Sequence, residues 1–234
     1  MKISRGLLAL ILTICFTTAL TAEYLYKDTV VHNPSFSAEI EKLGSELYQK
    51  TGISLRLIMV RELPHGESIV DFQRQIMKDF NEPTILLTFS ELDSKVDILA
   101  SDVALYEYFD KKQVLSPVAS PVQAFLMALI YSKSFESFKE MSSNYGGTII
   151  PLLAQKAKDG EQLGKYSGSM YNGYVDIAEQ IAAYKGIVLE NAAGNANKVS
   201  ILVVKILFYG FIIYGIYLYI KRKLYIRRQN REKQ

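Results

Sequence analysis

Two periods of apolar residues alternate along the chain. Behind Ser35-Phe36-Ser37-Ala38-Glu39, residues Ile40, Leu43, Leu47 and Tyr48 share one helical face, and Thr51-Gly52 ends the pattern. Ile53–Glu62 (ISLRLIMVRE) reads as a strand whose apolar run is too continuous for one wet face, which predicts a central place in a sheet. Pro64-His65-Gly66 breaks the chain. Helical spacing returns over Ser68–Phe80, with Ile69, Phe72, Ile76, Met77 and Phe80 inward. Thr84–Ser90 predicts a second buried strand, and Lys95–Ser101 a third, joined to it as a hairpin through Asp93-Ser94. Ser101 or Asp102 caps a short helix reaching Asp110. After a loop marked by Pro117 and Pro121, three stretches read as helices: Val122–Tyr131, Ser134–Met141 and Thr148–Lys158. This order predicts an α/β fold, a small mixed sheet with helices packed on it as a sandwich.

Residues 160–198 differ in character. Gly160, Gly164, Gly168 and Gly173, with Ser167, Ser169 and Asn172 among them, predict a flexible spacer. Within it Tyr174–Gly186 reads as an amphipathic helix, and Asn191–Asn197 is small and polar.

Val199–Ile220 is a run of 22 residues with a single charge, Lys205, and Lys221-Arg222-Lys223 follows at once. At about 1.5 Å per residue such a helix crosses a hydrocarbon core of about 30 Å. The basic residues behind it predict a cytoplasmic C-terminus, since they do not cross easily. Near the start, Lys2 and Arg5 precede the uncharged Gly6–Ala22, the layout of a secretory signal, with an uncleaved anchor as the alternative. The predicted organisation is therefore a signal segment over 1–22, an α/β domain over 23–159, a spacer over 160–198, a transmembrane helix over 199–220 and a basic tail over 221–234. The expected location is a bacterial inner membrane, crossed once, with the domain in the periplasm.

Charge sorting changes how the pI near 8.7 is read. The tail from Lys221 holds seven Lys/Arg against one acid, whereas Glu23–Lys198 holds 17 Lys/Arg against 23 Asp/Glu, a net of −6. The basic cluster sits at a membrane surface, so the basic pI does not point to nucleic acid. Cys15, the single cysteine, falls in the signal segment, and the domain is expected to hold together by its core and not by a disulfide.

Candidate chemistry is sparse. His32 and His65 each sit in a loop beside Pro or Gly, without the spacing of a zinc site. No GxSxG, P-loop or GxGxxG string occurs, and no catalytic residue is nominated. Lys205, about 9 Å inside the span, is expected to snorkel outward or to pair with an acid on a partner helix. Tyr209, Phe211, Tyr214, Tyr217 and Tyr219 thicken toward the cytoplasmic end, as an aromatic belt does. Lys205, Tyr214 and Tyr217 are the candidate contacts with membrane or partner.

The helix ending in Lys50-Thr51-Gly52, the strand ISLRLIMVRE with Leu63, and TILLTFS followed by Asp93-Ser94-Lys95-Val96-Asp97-Ile98 together resemble the TPM-domain family over roughly 28–158. A signal in front and a transmembrane helix behind is a common arrangement in that family. Phe80-Asn81-Glu82-Pro83 stands where the family carries a tryptophan–glycine segment. The resemblance implies a TPM-like sandwich and a non-enzymatic accessory or assembly role, binding another membrane or envelope protein. Some relatives bind divalent ions or act as phosphatases, so it also implies a rival reading. In that reading Glu91, Asp93 and Asp102 hold Ca²⁺ or Mg²⁺ in a metal-dependent hydrolase. The principal expectation carries no cofactor.

Overall fold

The computed structural model describes residues 24–64, 66–192 and 194–232, with backbone alone for 194–205 and 227–232. The expected signal segment and His65 lie outside the described residues. The chain divides into two compact units after Asn191.

The first unit is built on a four-stranded sheet: β1 (Leu25–Asp28), β2 (Ser54–Val60), β3 (Thr84–Ser90) and β4 (Lys95–Ala100), in that spatial order. β1, β2 and β3 run parallel, with Leu57 opposite Leu87, and β4 returns antiparallel, with Leu86 opposite Leu99. The α/β class and the mixed sheet are thus as the apolar periods predict. All seven residues of β2 and of β3 are buried, so both faces of the sheet centre are covered.

Among the described residues eight helices accompany or follow the sheet in sequence: α1 (Pro34–Thr51), α2 (Ile69–Met77), α3 (Lys111–Val114), α4 (Pro121–Tyr131), α5 (Phe135–Ser143), α6 (Ile150–Leu153), α7 (Gln162–Lys185) and α8 (Gly194–Glu232). Asn33 caps α1, its side chain accepting from the Ser35 and Phe36 amides, and Gly52 closes the helix at φ 71°, where a Cβ would be strained. α2 lays Phe72 on Ile58, Val60 and Leu86, with Ile69, Ile76 and Phe80 around them. Side chains alternate across a strand, so Leu55, Leu57, Ile85, Leu87 and Phe89 face the other way, where Phe89 meets Tyr166 of α7 at 5.0 Å. α1 packs against α7 on that second layer.

Three expectations need correction. A short strand, β1, precedes α1; its four residues are too few to show a period. The helix expected over Thr148–Lys158 shrinks to the single turn of α6, after which Lys165 Nζ donates to the carbonyls of Leu153 and Gln155 and ties the chain down. The largest correction concerns the spacer. Residues 162–185 form a 24-residue helix whose Met170, Tyr174, Ile177, Ala178 and Ile181 are buried in the core. Glycine here marks close packing: a Cβ on Gly173 would collide with the Ile149 side chain, and one on Gly44 of α1 with Tyr24 and Tyr174. The domain therefore reaches Asn191, and 23–159 is not a complete unit.

The second unit contains α8. Among the described residues no helix is long and apolar enough to cross a membrane. Described side chains begin at Ile206, and the uncharged run from there to Ile220 is 15 residues, about 22 Å, short of the about 30 Å required. The expected span over 199–220 needs 199–205 as well, whose side chains lie outside the described residues.

The glycines of α1 and α7 divide into two kinds, with opposite expected effects. Gly44→Ala forces a methyl between two tyrosines and is expected to lower stability by about 1–3 kcal/mol, net of the helix-propensity gain. Gly168→Ala meets open space and is expected to raise stability by up to about 1 kcal/mol. Urea unfolding of the two variants beside the parent checks both signs.

Candidate functional site

In α/β folds the first place to look is outside the carboxyl ends of the parallel strands. That edge holds a shallow cleft of about 330 Å³ lined by Lys27, Val60, Glu62, Leu63, Pro64 and Phe72. Two acids near it, Asp28 and Asp93, serve the backbone. Asp28, at the end of β1, accepts from the amides of Val30, Val31 and His32 at 2.8–2.9 Å, which holds His32 at φ 51°. Asp93 accepts from Ser90 Oγ at 2.6 Å and from the Leu63 amide at 2.9 Å, and these two donors hold its carboxyl below the usual range.

The structure separates the three nominated metal ligands. Glu91 and Asp93 lie in the β3–β4 turn, while Asp102 lies past the far end of β4, about 20 Å of strand away. Asp102 caps the 3-10 turn Val103–Glu107 by accepting from the Ala104 amide. Among the described residues no group of three or more His, Cys, Asp or Glu is placed to hold a metal ion.

Two larger clefts carry less chemistry than their size promises. One, of about 580 Å³, lies between α6 and the first turns of α7 and is lined by Lys156, Gly160, Gly164, Gly168 and Tyr171. The other, of about 620 Å³, is lined by Tyr106, Tyr108, Phe109, Lys111, Gln180 and Tyr184. Its Lys111 ammonium is committed to Asp97 at 2.7 Å and to the Ile98 carbonyl at 2.6 Å.

The strongest departure from ordinary packing is the α4–α5 hairpin. Ser120 caps α4 with Pro121 in its first turn, Ser134 caps α5, and Ser132-Lys133 connects the two. Its base is pinned: Ser116 Oγ donates to the Asn144 carbonyl at 3.2 Å, and the Gly147 amide donates to the Val118 carbonyl at 3.0 Å. On α4 the apolar stripe is inverted. Val122, Phe125, Leu126, Leu129 and Ile130 recur at the spacing that normally faces a core, yet they are 49–70% exposed. The buried residues are the small ones on the opposite side, Ala124 and Ala128. With Tyr131 and Phe135 at the tip, this leaves on the order of 500 Å² of apolar surface in water, the upper range for one patch on a monomer. Periodicity predicts a helix over Val122–Tyr131 but not its outward face, because a period gives a stripe and not its direction.

α8 carries a second apolar surface. Every described side chain from Ile206 to Ile226 is exposed. Helical geometry places Gly210, Tyr214 and Tyr217 on one face, which brings together two of the three nominated contacts. The side chain of Lys205 lies outside the described residues.

A buried carboxylate fixes the segment that leads toward α8. Glu46 of α1, 9% exposed, accepts from the Glu190 amide at 2.6 Å, from the Asn191 amide and side chain at 2.8 Å, and from Lys50 Nζ at 2.7 Å. Burial alone pushes its pKa up. The Lys50 ammonium and the three donors from Glu190 and Asn191 outweigh that and bring it to about 2. Lys50 also donates to the Val188 carbonyl at 2.9 Å, so residues 188–191 are held at three points.

No protein-family model matches this chain, and no curated protein matches it. The likeness to the TPM-domain family therefore rests on the strings quoted above.

Glu46 makes a pH prediction with a definite sign. Its carboxyl is lowered in the folded state, so the stabilisation is full above an unfolded value near 4.5 and is lost as pH falls toward about 2. Glu46→Gln is expected to cost about 2–3 kcal/mol at neutral pH and well under about 1 kcal/mol at pH 2. Urea unfolding of parent and variant across that range measures the difference directly.

Proposed function

We propose that the chain is a single-pass membrane protein whose α/β domain lies outside the cytoplasm and which acts without catalysis, as an accessory or assembly factor that binds another membrane or envelope protein. The observation that carries this reading is α8. From Ile206 to Ile220 it presents large uncharged side chains in all directions, with no polar face. A helix that is apolar all round belongs in an apolar surrounding. Val199–Val204, uncharged in sequence, extends the run past the single charge of Lys205 to bilayer length. Lys221, Arg222 and Lys223 then mark the cytoplasmic side.

The tyrosines argue for a protein partner as well as lipid. Tyr209 and Tyr214 fall near the middle of 199–220, where a phenol hydroxyl finds no water. A hydrogen-bond acceptor on another helix meets that need, and Gly210 beside Tyr214 and Tyr217 allows a close approach. The domain supplies a rigid body on a short tether, which suits holding a partner in place.

The test uses the full-length chain in its native membrane, with a photo-crosslinking amino acid at position 214, 217 or 216. Positions 214 and 217 are expected to yield one discrete protein adduct, and Ile216, on another face, far less of it. Recovery of the chain without any protein adduct from all three positions counts against the partner.

A further inference from the structure

The inverted helix α4 has a use that the anchor alone does not supply. We propose that the outward face of α4 lies in the lipid interface of the bilayer, a second membrane contact alongside α8. This rests on the reading of α8 as a membrane anchor and adds a surface to it.

Length sets the mode of contact. Residues 116–132 contain no charged side chain, and α4 itself has 11 residues, about 16 Å of helix. That is too short to span but fits a helix lying along the interface. The polarity is distributed accordingly. The stripe of Val122, Phe125, Leu126, Leu129 and Ile130 offers no hydrogen-bonding group. Tyr131 and Phe135, 65% and 82% exposed, stand at the tip, where aromatic rings suit the headgroup level. Charges of both signs, Glu136, Lys139 and Glu140, are carried by α5.

The choice of lipid over a protein follows from reach and from chemistry. Seven residues separate Asn191 from Val199, and they extend at most about 28 Å. Since Glu46 and Lys50 hold 188–191 on α1, no slack is gained from the domain side. In an anchored chain Asn191 is thus kept within that distance of a bilayer surface, an apolar phase that is always present. A protein partner buries a mixed surface with about one hydrogen bond per 100–200 Å², whereas this stripe brings side chains that pair with nothing polar. Lipid accepts such a surface without a matched partner. The pinned base at Ser116 and Gly147 lets the hairpin transmit the contact to the domain, which sets its orientation on the membrane.

The test uses the full chain with Cys15→Ser, reconstituted in phosphatidylcholine–phosphatidylglycerol vesicles, a fraction of whose lipids carry a nitroxide on the acyl chain. An environment-sensitive fluorophore is attached through Leu126→Cys, Leu129→Cys, Val103→Cys or Ile216→Cys, one at a time. Labels at 126, 129 and 216 are expected to shift to the blue and to be quenched severalfold more by the nitroxide lipid than the label at 103. Iodide in the water is expected to quench the label at 103 and to spare the other three. If 216 is quenched by lipid while 126 and 129 respond to iodide like 103, the interface contact is overturned and the anchor stands. Labels at 126 and 129 shielded from both quenchers overturn the lipid contact in favour of a protein one, a second copy included. Failure of lipid to quench 216 overturns the anchor and this proposal with it.

Discussion

The phenol of Tyr174 joins the two halves of the domain. It is fully buried, and its hydroxyl donates at 2.7 Å to the carbonyl of Leu55 in the central strand, 119 residues earlier in the chain. An unpaired carbonyl at that depth costs about 1–3 kcal/mol, so α7 is held to one position on β2. Burial, with the negative charge of Glu41 nearby, keeps the phenol un-ionised. Around it the other choices follow. Position 44 of α1 must be glycine for the ring and its hydroxyl to fit beside Tyr24, and position 173 must be glycine for Ile149 to close the next layer. A fold whose last long helix completes the core cannot be cut before that helix. Any soluble fragment meant to represent the domain therefore has to run to Asn191.

The same helix shows where reading the chain by composition fails. Four glycines and several small polar residues over 160–173 have the statistics of a linker, yet Gly173 marks a contact and Gly164 and Gly168 face open space. Glycine reports the absence of a Cβ, and the reason for that absence is tertiary. β2 and β3 were legible for the opposite reason. Seven consecutive buried residues leave an apolar run that no surface segment would carry. Phe80-Asn81-Glu82-Pro83 gains a role that only the fold reveals: Glu82 pairs with the buried Arg56 at 2.7 Å, and the Phe80 ring lies 4.2 Å from the same guanidinium.

Two of the acids that the family resemblance offers as metal ligands, Asp93 and Asp102, have backbone duties in the fold. Glu91, Asp93 and Asp102 are close in sequence, but an antiparallel strand of six residues carries Asp102 away from the other two. Carboxylates placed at turns and helix starts have backbone amides to satisfy first, and Asp28, Asp93 and Asp102 each do so. A cation site needs oxygens left over after that demand. Val122–Tyr131 was legible as a helix, whereas the direction of its apolar stripe depended on Ala124 and Ala128 being small enough to form the inner side.

Coupling between these parts follows from where rigidity lies. Glu46 and Lys50 on α1 grip residues 188–191, and α1 in turn packs on α7, which holds Leu55 through Tyr174. Residues 188–191 are thus fastened to the core and not held by a loose loop. The hairpin is fastened at its own base, on the segment between α3 and α6, and α3 and α6 both contact α7. The proposed lipid contact of α4 would give a domain gripped near its C-terminal end a second stiff attachment.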